Sequence, residues 1–180
     1  MQEKKSMLRP IGRVWQWLLV SLAVVILDQL TKWLCATYLK AVGSVDVIPH
    51  VLRFTYVENT GAAFGSFSDQ RWVFMVLSTV AIVAVTFYLL FFSERSKWLR
   101  CALALLIGGG IGNMIDRVVL GFVIDFIDFY LFPFWVWVFN VADVAVCVGV
   151  GMFLLFYVLD IVRLAKSNDA DAPRDEDATS

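Results

Sequence analysis

Four long apolar stretches, interrupted by polar residues only near their ends, organise the chain: roughly residues 14–36, 72–92, 98–115 and 135–164. A helix crossing a bilayer needs about 20 mostly apolar residues, and these stretches meet or approach that length. Between the first two, "VIPHVLRFTYVENTGAAFGSF" alternates β-branched and aromatic residues with others from Val51 to Val57, then turns at Asn59, Gly61 and Gly65. That pattern predicts a small β-rich element over about 43–68. The expected fold is an all-α membrane protein, four transmembrane helices with this β element on one face.

Composition agrees. Of 180 residues 60% are hydrophobic and mean hydropathy is +0.76, against roughly 45–50% apolar in soluble domains. A net charge of −1 offers no basic surface, and no nucleic-acid partner is expected. Basic residues instead set orientation. Lys4, Lys5, Arg9 and Arg13 precede the first span, Arg95, Lys97 and Arg100 lie between the second and third, and Arg163 and Lys166 follow the fourth. An even number of spans with these flanks on one side predicts both termini in the cytoplasm. The connections 37–71 and about 116–134 then face outward.

The flanking segments read simply. Residues 1–13 form a basic N-terminus, 14–164 the membrane domain, and 165–180 a disordered acidic cytoplasmic tail. Asp169, Asp171, Asp175, Glu176 and Asp177 against Arg174 give 167–180 a net of −4, which leaves +3 for the rest. No small-x-small cleavage site follows the first apolar stretch, so it reads as a retained signal anchor. Leu34 before Cys35 is too bulky for a lipidation site. Cys35, Cys101 and Cys147 lack paired spacing and read as packing residues, and His50 stands alone, so no metal site is expected. Gly108 and Gly112 form a G-x-x-x-G suited to close helix packing.

Chemistry concentrates near the outer ends of the spans. Asp28 and Lys32, four apart on the first helix, share a face and can pair. Asn113, Asp116 and Arg117 share a face of the third, and Asn140 and Asp143 sit three apart at the start of the fourth. Asp28 with Lys32 and Asp116 with Arg117 read as structural ion pairs. Asp125, Asp128 and Asp143 are then left without a cation, in surroundings where a lone carboxylate costs at least about 2.5 kcal/mol. Two such acids held together share one proton, which makes an acid and a base able to activate water against a peptide carbonyl. Asp143 is one natural member; spacing does not choose between Asp125 and Asp128 for the other. Gly61-Ala62-Ala63 would let an extended peptide approach the backbone closely.

Five blocks in order, "DQLTK" (28–32), "NTGAAFG" (59–65), "GNMIDR" (112–117), "VIDF" (123–126) and "FNVAD" (139–143), resemble the motif set of lipoprotein signal peptidase, or signal peptidase II. The resemblance covers about 14–164. It implies an aspartic endopeptidase of the bacterial inner membrane, active toward the outer face. Such an enzyme removes the signal peptide from prolipoproteins by cutting before the diacylglyceryl-modified cysteine, with no cofactor. Carried over by motif, Asp125 and Asp143 become the catalytic pair, which settles Asp125 over Asp128. Asn59, Gly61, Asn113, Arg117 and Asn140 would line the site, Arg117 binding substrate backbone, while Asp28, Lys32 and Asp116 support it. The implied partners are diacylglyceryl-prolipoproteins and membrane lipid, with the enzyme a monomer. The aromatic run 129–139, broken by Pro133, suits an interfacial belt. The rivals are a proton-coupled transporter using the same carboxylates and a non-catalytic scaffold.

Overall fold

The structure, a computed structural model, describes residues 14–61, 71–91, 96–131 and 137–170. Its order is α1 (Trp15–Tyr38), β1 (Ser44–Ile48), β2 (Leu52–Asn59), α2 (Arg71–Phe91), α3 (Lys97–Val119), β3 (Val123–Phe129), β4 (Val138–Phe139) and α4 (Val141–Ala170). All four helices are long and apolar enough to cross a membrane, with mean hydropathies of 1.7, 2.5, 1.5 and 2.4.

The bundle is arranged for lipid on the outside. In α1 the buried residues are Ser21, Asp28, Lys32 and Cys35, one stripe along the helix, while Leu18, Leu22, Ile26, Leu30 and Trp33 are exposed. Polar groups turn inward because hydrocarbon offers them no hydrogen bond. The central helix is α3, packed against α1, α2 and α4. Its glycines permit this. A Cβ on Gly108 would lie 2.7 Å from the Ser21 carbonyl, one on Gly112 would lie 2.6 Å from Asp28 Oδ2, and one on Gly109 would strike the Ala142 carbonyl. Small residues let backbones meet, which is the main source of packing contact between helices in lipid. Ser21 Oγ adds a hydrogen bond to the Ala104 carbonyl at 2.8 Å.

One antiparallel sheet, ordered β1-β2-β3-β4, lies across the same ends of α1, α3 and α4 as their polar residues. Phe126 of β3 packs on Cys35 and Leu39 of α1, with Phe54 of β2 edge-on to its ring at 5.9 Å. A β-bulge interrupts the β2–β3 ladder between Phe54 and Val57, before Val57 pairs with Asp125. His50 turns the β1–β2 hairpin with φ 63°, and its backbone N–H donates to Tyr130 Oη.

The sequence placed the β element within 43–68, yet half of its strands come from the third connection. Strand β3 escaped notice because, buried on both faces, it lacks alternation and reads as one more apolar run. The fourth span was expected from residue 135 but α4 starts at Val141, after β4 and an asparagine cap. The third span runs one turn beyond 115, carrying Asp116 and Arg117 on the helix. Residues 165–170, expected in a disordered tail, continue α4. Ala62 and Ala63 of the expected peptide-binding turn, and Pro133, lie outside the described residues.

Candidate active site

Three helices and two strands bring Asp28, Lys32, Asn59, Asn113, Asp116, Arg117, Asp125, Asn140 and Asp143 into one layer, while Asp128 is directed away from it. Its base is Lys32, 2% exposed, whose ammonium has three protons and three partners. It meets Asp28 Oδ2 at 2.8 Å, Asp116 Oδ2 at 3.0 Å and Asn113 Oδ1 at 2.9 Å. The Asp28–Lys32 pair is as expected. Asp116, however, pairs across the bundle with Lys32 and not with its neighbour Arg117, because consecutive helix positions point about 100° apart. Asp116 Oδ2 also accepts the Ile124 N–H at 3.1 Å, joining α3 to β3. Gln29 was missed by the sequence reading. Its Nε2 donates to Asp116 Oδ1 at 2.9 Å and the Gly112 carbonyl at 3.1 Å. An amide inside an apolar helix was the available signal.

Asn140, fully buried, is the N-cap of α4. Its Oδ1 accepts the Asp143 N–H at 2.9 Å while Asp143 Oδ2 accepts the Asn140 N–H at 3.2 Å, a reciprocal capping box. Asp28 reaches across from α1 so that its Oδ1 accepts the Ala142 N–H at 2.9 Å. Two acids thus satisfy the otherwise orphaned amides of the α4 N-terminus, where the helix dipole also favours negative charge. Asp143 Oδ1 takes a further bond from Asn113 Nδ2 at 2.7 Å.

Asp125 faces this helix end from β3 and is 2% exposed. Asn140 Nδ2 donates to its Oδ1 at 2.6 Å and Asn59 Nδ2 to its Oδ2 at 2.9 Å. The Asn59 amide is oriented in turn by the Gly61 N–H, which donates to Asn59 Oδ1 at 3.0 Å. Burial pushes the Asp125 carboxyl up to about 6, and the charge of Asp143 adds to this, against the two amide bonds that favour ionisation. Asp125 and Asp143 therefore share Asn140, sense one another's charge, and present a proton-binding group near neutrality. Arg117 Nη1 donates to the Asn113 carbonyl at 3.3 Å, with its charge in electrostatic reach of Asp116, Asp125 and Asp143.

Asp128, the alternative left open by spacing, is directed elsewhere. Its Oδ2 accepts Arg53 Nε at 2.6 Å and Thr55 Oγ1 at 3.3 Å. The expectation that Asp128 lacks a cation fails because the partner is a cross-strand neighbour, set by β2–β3 register. Among the described residues no three His, Cys, Asp or Glu side chains are grouped as ligands for a metal ion.

The profile of the family described as Signal peptidase (SPase) II matches residues 20–159. A lipoprotein signal peptidase of Symbiobacterium thermophilum is 42% identical over 142 residues, 79% of this chain and 93% of the relative. One of Caldanaerobacter subterraneus subsp. tengcongensis is 46% identical over 136 residues, 74% of this chain and 91% of the relative. A bacterial membrane enzyme solved by the in meso method at 1.9 Å superposes with a TM-score of 0.74 at 34% identity, covering 81% of this chain and 94% of that one. Another, solved at 2.3 Å, gives 0.73 at 32% identity over 91% and 95%. With its four membrane helices, its small sheet and this agreement along most of its length, the chain belongs to the signal peptidase II family.

Proposed function

We propose that this protein is a membrane-embedded aspartic endopeptidase of the bacterial inner membrane that removes the signal peptide from prolipoproteins. It cuts before the diacylglyceryl-modified cysteine at the outer face, with both termini in the cytoplasm. The observation that carries this reading is that Asn140 bonds both Asp125, which is buried, and Asp143, which is half-buried, two acids on separate elements at one end of the bundle.

In the reaction, the ionised acid takes a proton from water as its oxygen attacks the scissile carbonyl. The protonated acid then gives its proton to the leaving nitrogen as the C–N bond breaks. Two acids are required, and their unequal surroundings divide the roles. Arg117 carries five N–H donors, enough to grip substrate carbonyls beside its bond to Asn113. Asn59 and Asn140 hold the Asp125 carboxylate still, and Asp28, Lys32 and Asp116 join the helices beneath it. A substrate anchored by its signal helix and its acyl chains presents the scissile bond at the membrane surface, the depth at which the bundle carries its acids.

A transporter would need polar groups continuing to the other face. In α2, Thr79 Oγ1 bonds the carbonyl of Met75 on its own helix.

The test uses purified protein in lipid with a diacylglyceryl-modified prolipoprotein, precursor and product being separated on a gel. Wild type is expected to cleave and the folded Asp125→Asn and Asp143→Asn variants to lose at least about 1,000-fold in rate. Equal cleavage of unmodified precursor would remove the lipid requirement, and an active Asp125→Asn or Asp143→Asn enzyme would end the aspartic reading.

A further inference from the structure

Three asparagine amides touch the two acids, and in each the orientation is fixed by a group that can only donate. For Asn59 that group is the Gly61 N–H and for Asn140 the Asp143 N–H, both backbone donors. For Asn113 it is the ammonium of Lys32, 2.9 Å from Oδ1, helped by Asn140 Nδ2 at 3.1 Å. An amide oxygen held by a cation cannot exchange places with its nitrogen without setting N–H against N–H. The Asn113 N–H must then point at Asp143 Oδ1, where it lies at 2.7 Å.

The two acids are held differently. Asp143 is the third residue of α4, its carboxylate closes a capping box, and it lies where the helix dipole favours negative charge. Asp125 stands on a strand, with the side-chain amides of Asn59 and Asn140 as its donors and no part in the cap itself. The charged groups around Asp143 are Asp28 and Lys32 from α1, Asp116 and Arg117 from α3, and Asp125 from β3; Asn59 of β2 is neutral. Of these, Lys32 is the cation bonded to an amide that itself bonds Asp143.

We infer that Lys32 is a positioning residue for the reaction: through Asn113 it keeps Asp143 ionised as the base that activates water, and so leaves the proton of the pair on Asp125. The inference rests on the two-aspartate reading given under Proposed function.

The test compares wild type with Lys32→Met, Asn113→Ala and the double variant, each shown to be folded, with Asp125→Asn and Asp143→Asn as controls. Rates are measured across about pH 5 to 8. Lys32→Met is expected to lower kcat about tenfold or more with KM within about twofold, and to move the acidic limb of the kcat profile up by about one pH unit. In the Asn113→Ala background the same change is expected to add little, since both act on one bond. Should Lys32→Met fail to fold, Lys32→Met with Asp116→Asn removes one charge of each sign and is read in the same way. A folded variant with the wild-type pH profile overturns the inference. So does a loss of kcat that is fully additive with Asn113→Ala, the signature of a merely structural role. Activity in either aspartate control is a different result, since it ends the two-aspartate reading and this inference with it.

Discussion

Asn140 Nδ2 donates to Asp125 Oδ1 at 2.6 Å, while the same side chain caps α4 through the Asp143 N–H. One residue therefore starts a membrane helix and ties both acids of the site. Asn140→Ala should cost stability through the lost cap, about 1 kcal/mol, and more because Asp125 Oδ1 loses its donor. Cleavage should fall by about 100-fold or more in protein that still purifies as a folded species. Thermal unfolding and single-turnover cleavage check the two effects separately. Near-normal cleavage by Asn140→Ala would show that the shared asparagine is dispensable.

The Asp128–Arg53 pair predicts the opposite separation. Asp128 is buried but Arg53 is 40% exposed, so the pair should contribute no more than about 1 kcal/mol. Asp128→Asn keeps an acceptor and should lower the melting temperature slightly, with cleavage within about threefold of wild type. Arg53→Met strands a buried carboxylate and should cost more, up to about 3 kcal/mol. A reversed order of melting temperatures, or an inactive folded Asp128→Asn, would contradict this assignment.

Asp125 makes the enzyme sensitive to pH in a direction that can be worked out. Its carboxyl is pushed up to about 6 from an ordinary 3.8, so the folded protein holds that proton more tightly than the unfolded chain does. The stabilisation is complete below the ordinary value and lost as pH rises through about 6, amounting to roughly 3 kcal/mol. Wild type should lose more thermal stability than Asp125→Asn between about pH 4 and 7. Cleavage should decline above about 6 as the proton donor is lost. Parallel melting curves for the two proteins across that range would refute the prediction.

Gly109 tests the packing of α3 on α4. A Cβ there would strike the Ala142 carbonyl, backbone at the very start of α4, whereas one on Gly151 meets nothing within 4 Å. Gly109→Ala should push the helices apart, cost about 1–3 kcal/mol and reduce cleavage by displacing Asp143. Gly151→Ala should be neutral in both respects. Detergent-solubilised yield, melting temperature and activity of the two variants give the comparison.

The membrane class and the four spans were legible because hydropathy over about 20 residues is a local property. The Asp28–Lys32 pair was legible for a similar reason: a four-residue spacing on a helix fixes contact in advance. The five ordered motifs contain the residues now found in the polar layer, Gln29 included, although nothing singled Gln29 out within "DQLTK". What the sequence could not express is pairing between distant positions. Lys32 meets Asp116 and Asn113 only because glycines bring α1 and α3 together, and Arg53 meets Asp128 only because β2 and β3 pair in one register. Asn140 reads as a helix residue until β4 ends before it and makes it a cap. Local spacing thus determined which residues lie at one end of the bundle, while packing and register decided which carboxylates are neutralised and which two share an asparagine.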